Sequence, residues 1–125
     1  MSDWTADEIR QITPTDELEV SSRRPDGSLR PFVTIWFATQ GDDVYIRSAH
    51  GPENGWFRRA RESGSGRVRI GSLEKDVDFR PAEGVSHADL DATLHAKYDL
   101  YGPGPVGAIV GPGVVDVTLR VVPKA

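Results

Sequence analysis

Arginine side chains and turns rich in Gly or Ser flank one apolar stretch of the sequence, and together they could bind an anion. Guanidinium groups and free amides of a glycine-containing loop can converge on one phosphate or carboxylate through short charge-assisted hydrogen bonds. The pattern therefore predicts an anion site. Its candidate residues are Arg23, Arg24, Ser28, Arg30, Arg47, Ser48, His50 and Gly51, with Arg58 and Arg59 behind them.

A plain solvated surface is the alternative interpretation of these arginines. In that case they would pair with nearby carboxylates, and such surface pairs are common and contribute little stability. The candidate partners are Asp26, Asp42, Asp43 and Glu62. Charge alone leaves both interpretations open.

The charge distribution also limits the class of partner. The formal net charge is −4, yet the segment from Arg23 to Arg69 holds nine basic and five acidic residues, which leaves six basic and 14 acidic elsewhere. Trp56 and Phe57 beside several arginines could form a platform for single-stranded nucleic acid. Since the rest of the chain is acidic, we expect Trp56 to pack on the core instead, and we predict no nucleic-acid partner.

Other catalytic chemistries have weak support. The chain has no cysteine, so disulfides, thiolate metal sites and a cysteine nucleophile are excluded. His87, Asp91 and His95 repeat every four residues, so neighbouring pairs could chelate a metal, but no third ligand is identifiable and we predict no metal site. The run Gly102–Gly107 spells G-x-G-x-x-G without a preceding strand and with two prolines, which argues against a dinucleotide fingerprint.

The first half of the chain is expected to position the candidate site. Thr5 and Glu8 predict a capping box for an N-terminal helix within residues 1–14, and alternation predicts a strand over Glu17–Ser22. The central run Phe32–Ala38 is apolar at both alternating sets of positions, which is typical of a strand buried on both faces. The elements predicted next are a turn over 40–43, a strand over 44–48, a loop over 49–55 and a helix over 56–63.

The second half supplies a hairpin, a helix and a final strand. Strands over 67–70 and 76–80 are joined at Gly71, and a helix opens at Ser86 with Leu90, Leu94, Tyr98 and Tyr101 on one stripe. Residues 102–113 are expected to be loop. The last strand is predicted with Val115, Val117, Leu119 and Val121 inward and with Asp116, Thr118 and Arg120 outward.

These elements predict an α+β fold in one domain over residues 1–125. The expected architecture is a closed or nearly closed antiparallel barrel of five to six strands with three short helices. The sequence has neither a run of some 18 to 20 apolar residues nor an N-terminal signal pattern, so we expect a cytoplasmic protein without a membrane partner. Four aromatic residues, Trp36, Tyr45, Tyr98 and Tyr101, could wall a flat heteroaromatic ligand or simply belong to the core.

The succession from Tyr45 to Gly51, followed by Trp56 and Phe57, resembles the split β-barrel superfamily that binds flavin or deazaflavin. The likeness is greatest to the deazaflavin-dependent nitroreductase branch and to a related uncharacterised bacterial domain family. In that branch a basic turn and a later loop hold the cofactor phosphate. In this sequence the resemblance implies that the turn corresponds to Arg23, Arg24, Gly27, Ser28 and Arg30. The loop corresponds to Ser48, Ala49, His50 and Gly51, and Trp56 follows it.

The resemblance implies an oxidoreductase, or a binding protein, for F420 or FMN that acts by hydride transfer on an unknown small substrate. Arg47 and Trp36 would complete the cofactor contacts, and Tyr98 and Tyr101 stand where that branch also carries tyrosines, so they are the catalytic candidates. It further implies a homodimer. The alternatives are a non-catalytic module for a small anion and a structural domain with a vestigial site.

Overall fold

The computed structural model describes residues 4–124, so the predicted helical residues 1–3 lie outside the described residues. Helix α1 spans Ala6–Ile12 and begins at the predicted capping box, in which Glu8 N donates to Thr5 Oγ1 and Thr5 N donates to Glu8 Oε1. Trp4 precedes this helix and is buried, and its indole donates to Val121 O at 2.9 Å. This hydrogen bond therefore ties the residue before the N-terminal helix to the last strand of the sheet.

Seven antiparallel strands form one sheet in the order β2-β1-β5-β6-β7-β4-β3. Together with the helices they confirm the predicted α+β barrel, with more strands than the five to six expected. Their bounds are β1 Leu18–Ser22, β2 Val33–Ile35, β3 Phe37–Gln40, β4 Asp43–Arg47, β5 Ser65–Ile70, β6 Leu73–Pro81 and β7 Thr118–Pro123.

The two outermost strands are halves of one chain segment, and this nearly closes the barrel. β2 pairs only with β1, and β3 pairs only with β4, so the segment changes partner at Trp36. The prediction of one strand buried on both faces over Phe32–Ala38 is thus wrong. Thr34 is exposed, and of this run only Phe37 and Ala38 are buried, because no strand among residues 4–124 lies beside the second edge of β2.

Three further helices follow, α2 over Gly55–Ser63, α3 over His87–Tyr98 and α4 over Pro103–Gly107. The prediction of three helices missed α4, which lies in the expected loop 102–113. Pro103 occupies the first helical turn, where a missing backbone N–H costs no hydrogen bond. None of the described helices is long and apolar enough to cross a membrane.

The last strand begins at Thr118, three residues later than predicted. Residues 112–117 form a 3₁₀ turn instead, whereas Val117, Leu119 and Val121 are buried as predicted. Val115 is consequently 36% exposed rather than inward, and Thr118 is buried rather than outward. Thr118 is held inside because its hydroxyl accepts a hydrogen bond from Arg47 Nε at 2.9 Å.

Two hydrophobic cores lie on the two faces of β4. Val44 and Ile46 belong to the core inside the barrel, whereas Tyr45 packs with α3 in a second core. The strand predicted over 44–48 is confirmed, with both ends one residue earlier. The predicted stripe of α3 holds for Leu90, Leu94 and Tyr98, but Tyr101 lies in a 3₁₀ turn, Asp99–Tyr101, and is 45% exposed.

Candidate functional site

A cleft of about 540 Å³, here called the aromatic cleft, borders the free edge of β2. Its walls come from β2, the segment after β4, the start of α2 and the region of α4. Five of the predicted site residues line it, namely Trp36, Arg47, Ala49, His50 and Trp56. The remaining walls are mostly apolar and include Val33, Ile35, Pro105, Ala108 and Ile109.

Trp36 is fixed by a stacking contact behind it. Its ring lies 4.2 Å from that of Tyr98 with an interplanar angle of 6°. The Tyr98 side chain is fully buried, and its hydroxyl lies 2.6 Å from Asp16 O and accepts from Phe37 N at 3.1 Å. Burial raises the pKa of this phenol well above its usual value. The stack thus holds one wall of the aromatic cleft rigid.

The two tyrosines predicted as catalytic candidates differ in surroundings. The hydroxyl of Tyr98 is enclosed by backbone groups, which favours a packing role over proton donation. Tyr101 is exposed and donates to Asp16 Oδ2 at 3.1 Å, and this hydrogen bond raises its pKa. Neither hydroxyl belongs to the lining of the aromatic cleft.

A buried serine holds the loop after β4 in place through hydrogen bonds. Ser48 Oγ donates to Gly51 O at 2.7 Å and accepts from His50 N at 3.3 Å. Gly51 has a φ of 81°, a conformation that side chains with a Cβ rarely adopt. Ser48 and Gly51 therefore shape the loop, which leaves Ala49 and His50 exposed in the cleft wall.

Arg47 was predicted to bind an anion, but its own chain occupies its guanidinium. The side chain is 2% exposed and forms an ion pair with Asp91 at 2.5 Å. Besides Thr118, its partners are the carbonyl of Ile109 at 2.9 Å and Nδ1 of His87 at 3.0 Å. Asp91 in turn accepts from Gly111 N at 3.1 Å. Arg47 therefore ties α3 and the 109–111 segment to β4.

His87 and Asp91, whose spacing suggested chelation, are thus the partners of Arg47. The third member, His95, lies 2.8 Å from Asp99 instead. Within residues 4–124 no group of three or more His, Cys, Asp or Glu side chains could hold a metal ion. Sequence reasoning missed these contacts because the partners lie 40 to 71 residues from Arg47 along the chain. The available signal was an arginine inside an apolar strand, since a buried charge requires a partner.

A second cleft of about 480 Å³, here called the basic cleft, is lined by four of the predicted arginines but not by Arg58. Arg30 lines it, and its Nε is buried without a hydrogen-bond partner among the described residues. Arg59 lines it from α2, with its guanidinium folded over Gly55, where an added Cβ would lie 2.8 Å from a guanidinium nitrogen. The lining includes Arg23, Arg24, Pro25, Gly27, Arg30, Arg59, Glu62, Ser63 and Ser65.

The turn before β2 is held by its own polar groups. Asp26 accepts from both the backbone N and the hydroxyl of Ser28, and these hydrogen bonds lower its pKa. Arg24 donates to Leu29 O at 2.9 Å and forms no ion pair within the described chain. Ser28 therefore stabilises the turn and does not line the basic cleft.

Several other arginines are neutralised, but by carboxylates that the sequence did not single out. Arg23 pairs with Asp76 at 2.7 Å, and Arg67 contacts both Asp76 and Glu74. Hydrogen bonds from Arg67 lower the pKa of both carboxyls. None of the predicted partners forms an ion pair with an arginine in the part of the chain described; these were Asp26, Asp42, Asp43 and Glu62.

The predicted site thus falls into two clefts, and α2 contributes to both. Trp56 at the start of this helix lines the aromatic cleft, and Arg59 one turn later lines the basic cleft. One cleft offers flat apolar surfaces, and the other offers guanidinium groups. An aromatic ligand that carries an anionic group matches this combination.

Solved structures with the same fold are split-barrel proteins. A Listeria innocua protein described as a candidate pyridoxamine 5'-phosphate oxidase is 18% identical, with a TM-score of 0.64 over 95% of this chain and 93% of that one. An FAD-binding protein from Mesorhizobium loti is 16% identical, with a TM-score of 0.57 over 97% and 91% of the two chains. A structure named F420 reductase is 18% identical, with a TM-score of 0.56 over 94% and 93%.

At these identities the likeness establishes the fold and confirms the split-barrel resemblance. A search of curated proteins finds no match to the sequence. A family model described as "Uncharacterized protein conserved in bacteria (DUF2255)" matches residues 8–121, and the chain belongs to that family.

Proposed function

We propose that this protein binds a flavin-type cofactor, a flavin or the deazaflavin F420, and acts as an oxidoreductase on a small substrate. The observation that carries the proposal is the aromatic cleft, where Trp36 and Trp56 line a cavity beside the free edge of β2. Structures of the same fold are named as an FAD-binding protein and an F420 reductase, which supports this class of ligand.

The residues present fit such a group. Trp36, Trp56 and the loop carrying His50 would hold a flat ring, because they line one cavity of sufficient size. Arg30 and Arg59 would hold the phosphate, since neither forms an ion pair in the described chain and Arg30 Nε is an unused buried donor. A bound flavin or F420 supplies hydride transfer, while the protein's side chains orient the ligands and exclude water.

The test compares FMN, riboflavin and F420 as ligands of the 125-residue chain. Thermal unfolding is followed with all three ligands at the same concentration, since a ligand that binds the native state alone adds about 2.7 kcal/mol of stability at one hundred times its dissociation constant. FMN or F420 should raise the melting temperature. FMN should bind more tightly than riboflavin, because only FMN carries the phosphate. Absence of any shift with all three would end the proposal.

A pair of matched variants tests whether the basic cleft binds the cofactor phosphate. Arg30→Gln should abolish the preference for FMN over riboflavin while leaving riboflavin binding unchanged. Arg58→Gln is the control, since Arg58 is exposed on α2 and does not line the basic cleft. Equal losses in both variants would indicate a general charge effect instead of a phosphate site.

A non-catalytic module for a small anion is the second candidate function. It is favoured by the separation of the guanidinium groups from the aromatic cleft, because an anion could then bind without a ring. Inorganic phosphate alone would stabilise the wild type but not Arg30→Gln. FMN and F420 would add no more than phosphate does.

We also infer a homodimer, which would cover exposed apolar side chains. Leu100 is 79% exposed and Tyr101 is 45% exposed, and both precede Pro105, which lines the aromatic cleft. Sedimentation should therefore give the mass of two chains, and Leu100→Glu should shift the equilibrium toward one chain. A monomer at all concentrations would contradict the inference.

A further inference from the structure

Three aromatic rings form one connected group that begins at the aromatic cleft. Trp36 lines the cleft, and its ring centroid lies 4.2 Å from that of Tyr98 and 5.3 Å from that of Tyr101. The centroids of the two tyrosine rings are 6.3 Å apart. The indole is therefore in contact range of both phenol rings, and those rings lead away from the cleft.

Core packing explains the position of Tyr98 but not that of Tyr101. Tyr98 is fully buried, and its ring is stacked on Trp36 with an interplanar angle of 6°. Tyr101 is 45% exposed, and its ring is tilted by 37° against Trp36. Because nearly half of its surface stays in solvent, Tyr101 contributes little to the core, although it contacts the same indole.

Asp16 contacts both phenol hydroxyls, but through different groups. The Tyr98 hydroxyl lies 2.6 Å from the backbone oxygen of Asp16 and 2.9 Å from that of Phe37. The Tyr101 hydroxyl instead donates to the carboxylate oxygen Oδ2 of Asp16 at 3.1 Å. A carboxylate can take up a proton along such a hydrogen bond, whereas a backbone carbonyl is too weak a base to keep one. Of these two tyrosines, Tyr101 is thus the one with a proton acceptor.

This arrangement matches the requirements for moving one electron between side chains. Indole and phenol rings give up an electron more readily than most side chains, and transfer between them requires the orbital overlap that rings in contact provide. An oxidised phenol is a strong acid, so a tyrosine is oxidised easily only where a base accepts its proton. Trp36 supplies the ring at the cleft, and Tyr101 with Asp16 supplies the phenol and its base.

We propose that Trp36 and Tyr101 form an electron relay, in which Tyr101 reduces Trp36 again after a radical oxidant in the aromatic cleft has taken an electron from the indole. The oxidant gains one electron from Trp36, and Trp36 regains one electron from Tyr101. The phenol proton of Tyr101 passes to Asp16 Oδ2. The products are the reduced oxidant, an unchanged indole, a protonated Asp16 and a neutral phenoxyl radical at Tyr101.

The relay would protect the aromatic cleft, because the radical leaves the wall of the cleft and ends on a side chain outside its lining. It is independent of the proposed cofactor, since it moves single electrons and needs only the side chains described. A failure to bind flavin or F420 would therefore leave the relay intact, and a failure of the relay would leave the proposed cofactor site intact.

Pulse radiolysis of the 125-residue chain without cofactor tests the relay. The azide radical is the probe, because it oxidises tryptophan in preference to most other side chains. Absorption should show the indolyl radical decaying while a phenoxyl radical appears, at a rate independent of protein concentration. Tyr101→Phe and Trp36→Phe should each abolish this step. Tyr45→Phe is the control, because Tyr45 forms no ring pair with a tryptophan among residues 4–124.

Two further variants test the path of the proton. Asp16→Asn should slow phenoxyl formation at least about tenfold, because an amide does not accept the phenol proton. Tyr98→Phe keeps a ring stacked on Trp36 and should leave phenoxyl formation in place. An unchanged rate in Tyr101→Phe or in Asp16→Asn would overturn the proposal. So would a wild-type indolyl radical that decays only through collisions between protein molecules.

Discussion

At the scale of the residue, the buried polar side chains of Arg47 and Ser48 form hydrogen bonds with other groups of this chain. The Arg47 guanidinium contacts Asp91, Thr118, His87 and a backbone carbonyl, and the Ser48 hydroxyl forms a hydrogen bond within its own loop. Arg30 and Arg59 are different, because neither has a carboxylate partner in the described chain and both face one cleft. The guanidinium groups of Arg30 and Arg59 could therefore bind an anionic ligand, whereas Arg47 and Ser48 hold the surrounding structure in place.

The Arg47–Asp91 pair gives a stability prediction. Asp91→Asn should destabilise the protein by about 2 to 3 kcal/mol, because it leaves a buried guanidinium without its counter-charge. Urea unfolding measures the change. Asp89→Asn on the same helix is the control, since Asp89 is exposed and should lose only about 0.5 kcal/mol of helix-dipole interaction. Similar losses in both variants would show that the pair contributes little.

Tyr98 gives a pH prediction. Burial raises the pKa of its phenol in the folded state, so above about pH 10 the unfolded chain loses this proton while the folded chain keeps it. Stability from this group is thus complete below pH 10 and falls as pH rises further, by up to about 1.4 kcal/mol per pH unit. Tyr98→Phe should flatten that alkaline decline in urea unfolding. An unchanged slope would contradict the assignment.

At the scale of the element, the close contact between β1 and β5 depends on a glycine. A Cβ on Gly66 would lie 2.0 Å from Ser21 O and 2.8 Å from the Phe79 ring. The first contact is with backbone and cannot be relieved by a rotamer change. The strand pairing itself, Ser22 with Gly66 and Val20 with Val68, therefore requires a residue without a side chain at this position.

Gly66→Ala should accordingly destabilise the fold by about 2 kcal/mol or more, through strain between the two strands. Gly104→Ala in α4 is the matched change, because nothing lies within 4 Å of its added Cβ. Since alanine restricts the unfolded chain, this control should be neutral or stabilising by about 0.5 kcal/mol. Thermal unfolding distinguishes the two, and equal melting temperatures would refute the close-contact argument.

Structural features that depend on a few neighbouring residues could be predicted from the sequence. Features that depend on contacts between distant parts of the chain could not. The capping box at Thr5, the hairpin at Gly71 and the end of α2 at Ser63 follow from a few neighbouring residues, and the structure confirms each. The division of one chain segment into β2 and β3 at Trp36, and the late start of β7, depend on which strand or side chain lies opposite each segment. Those partners are far away in sequence, so periodicity alone gave a longer strand in each case.

At the scale of the whole molecule, the barrel is well paired in its middle and open at its ends. β6 lies at the centre of the strand order, between β5 and β7, and it pairs over most of its length. β2 contributes three residue pairs to one neighbour and faces the aromatic cleft with its other edge. Stability is therefore expected to be uneven across the sheet.

Amide hydrogen exchange tests this unevenness. Amides of β5, β6 and β7 should exchange slowest, and those of β2 should exchange fastest among the strands, because few hydrogen bonds protect them. A ligand in the aromatic cleft should slow exchange in β2 most. Uniform protection across the sheet, with or without ligand, would contradict the open-edge description.

The three tryptophans make the protein its own optical reporter. Trp4 is buried in the barrel core, Trp56 packs edge-on against Phe57, and Trp36 is stacked on a phenol at the cleft. Their emission should consequently differ in wavelength and in access to quenchers. A flat molecule that enters the aromatic cleft should quench the fluorescence of Trp36 but not that of Trp4. Intrinsic fluorescence would then report occupancy of the cleft without any label.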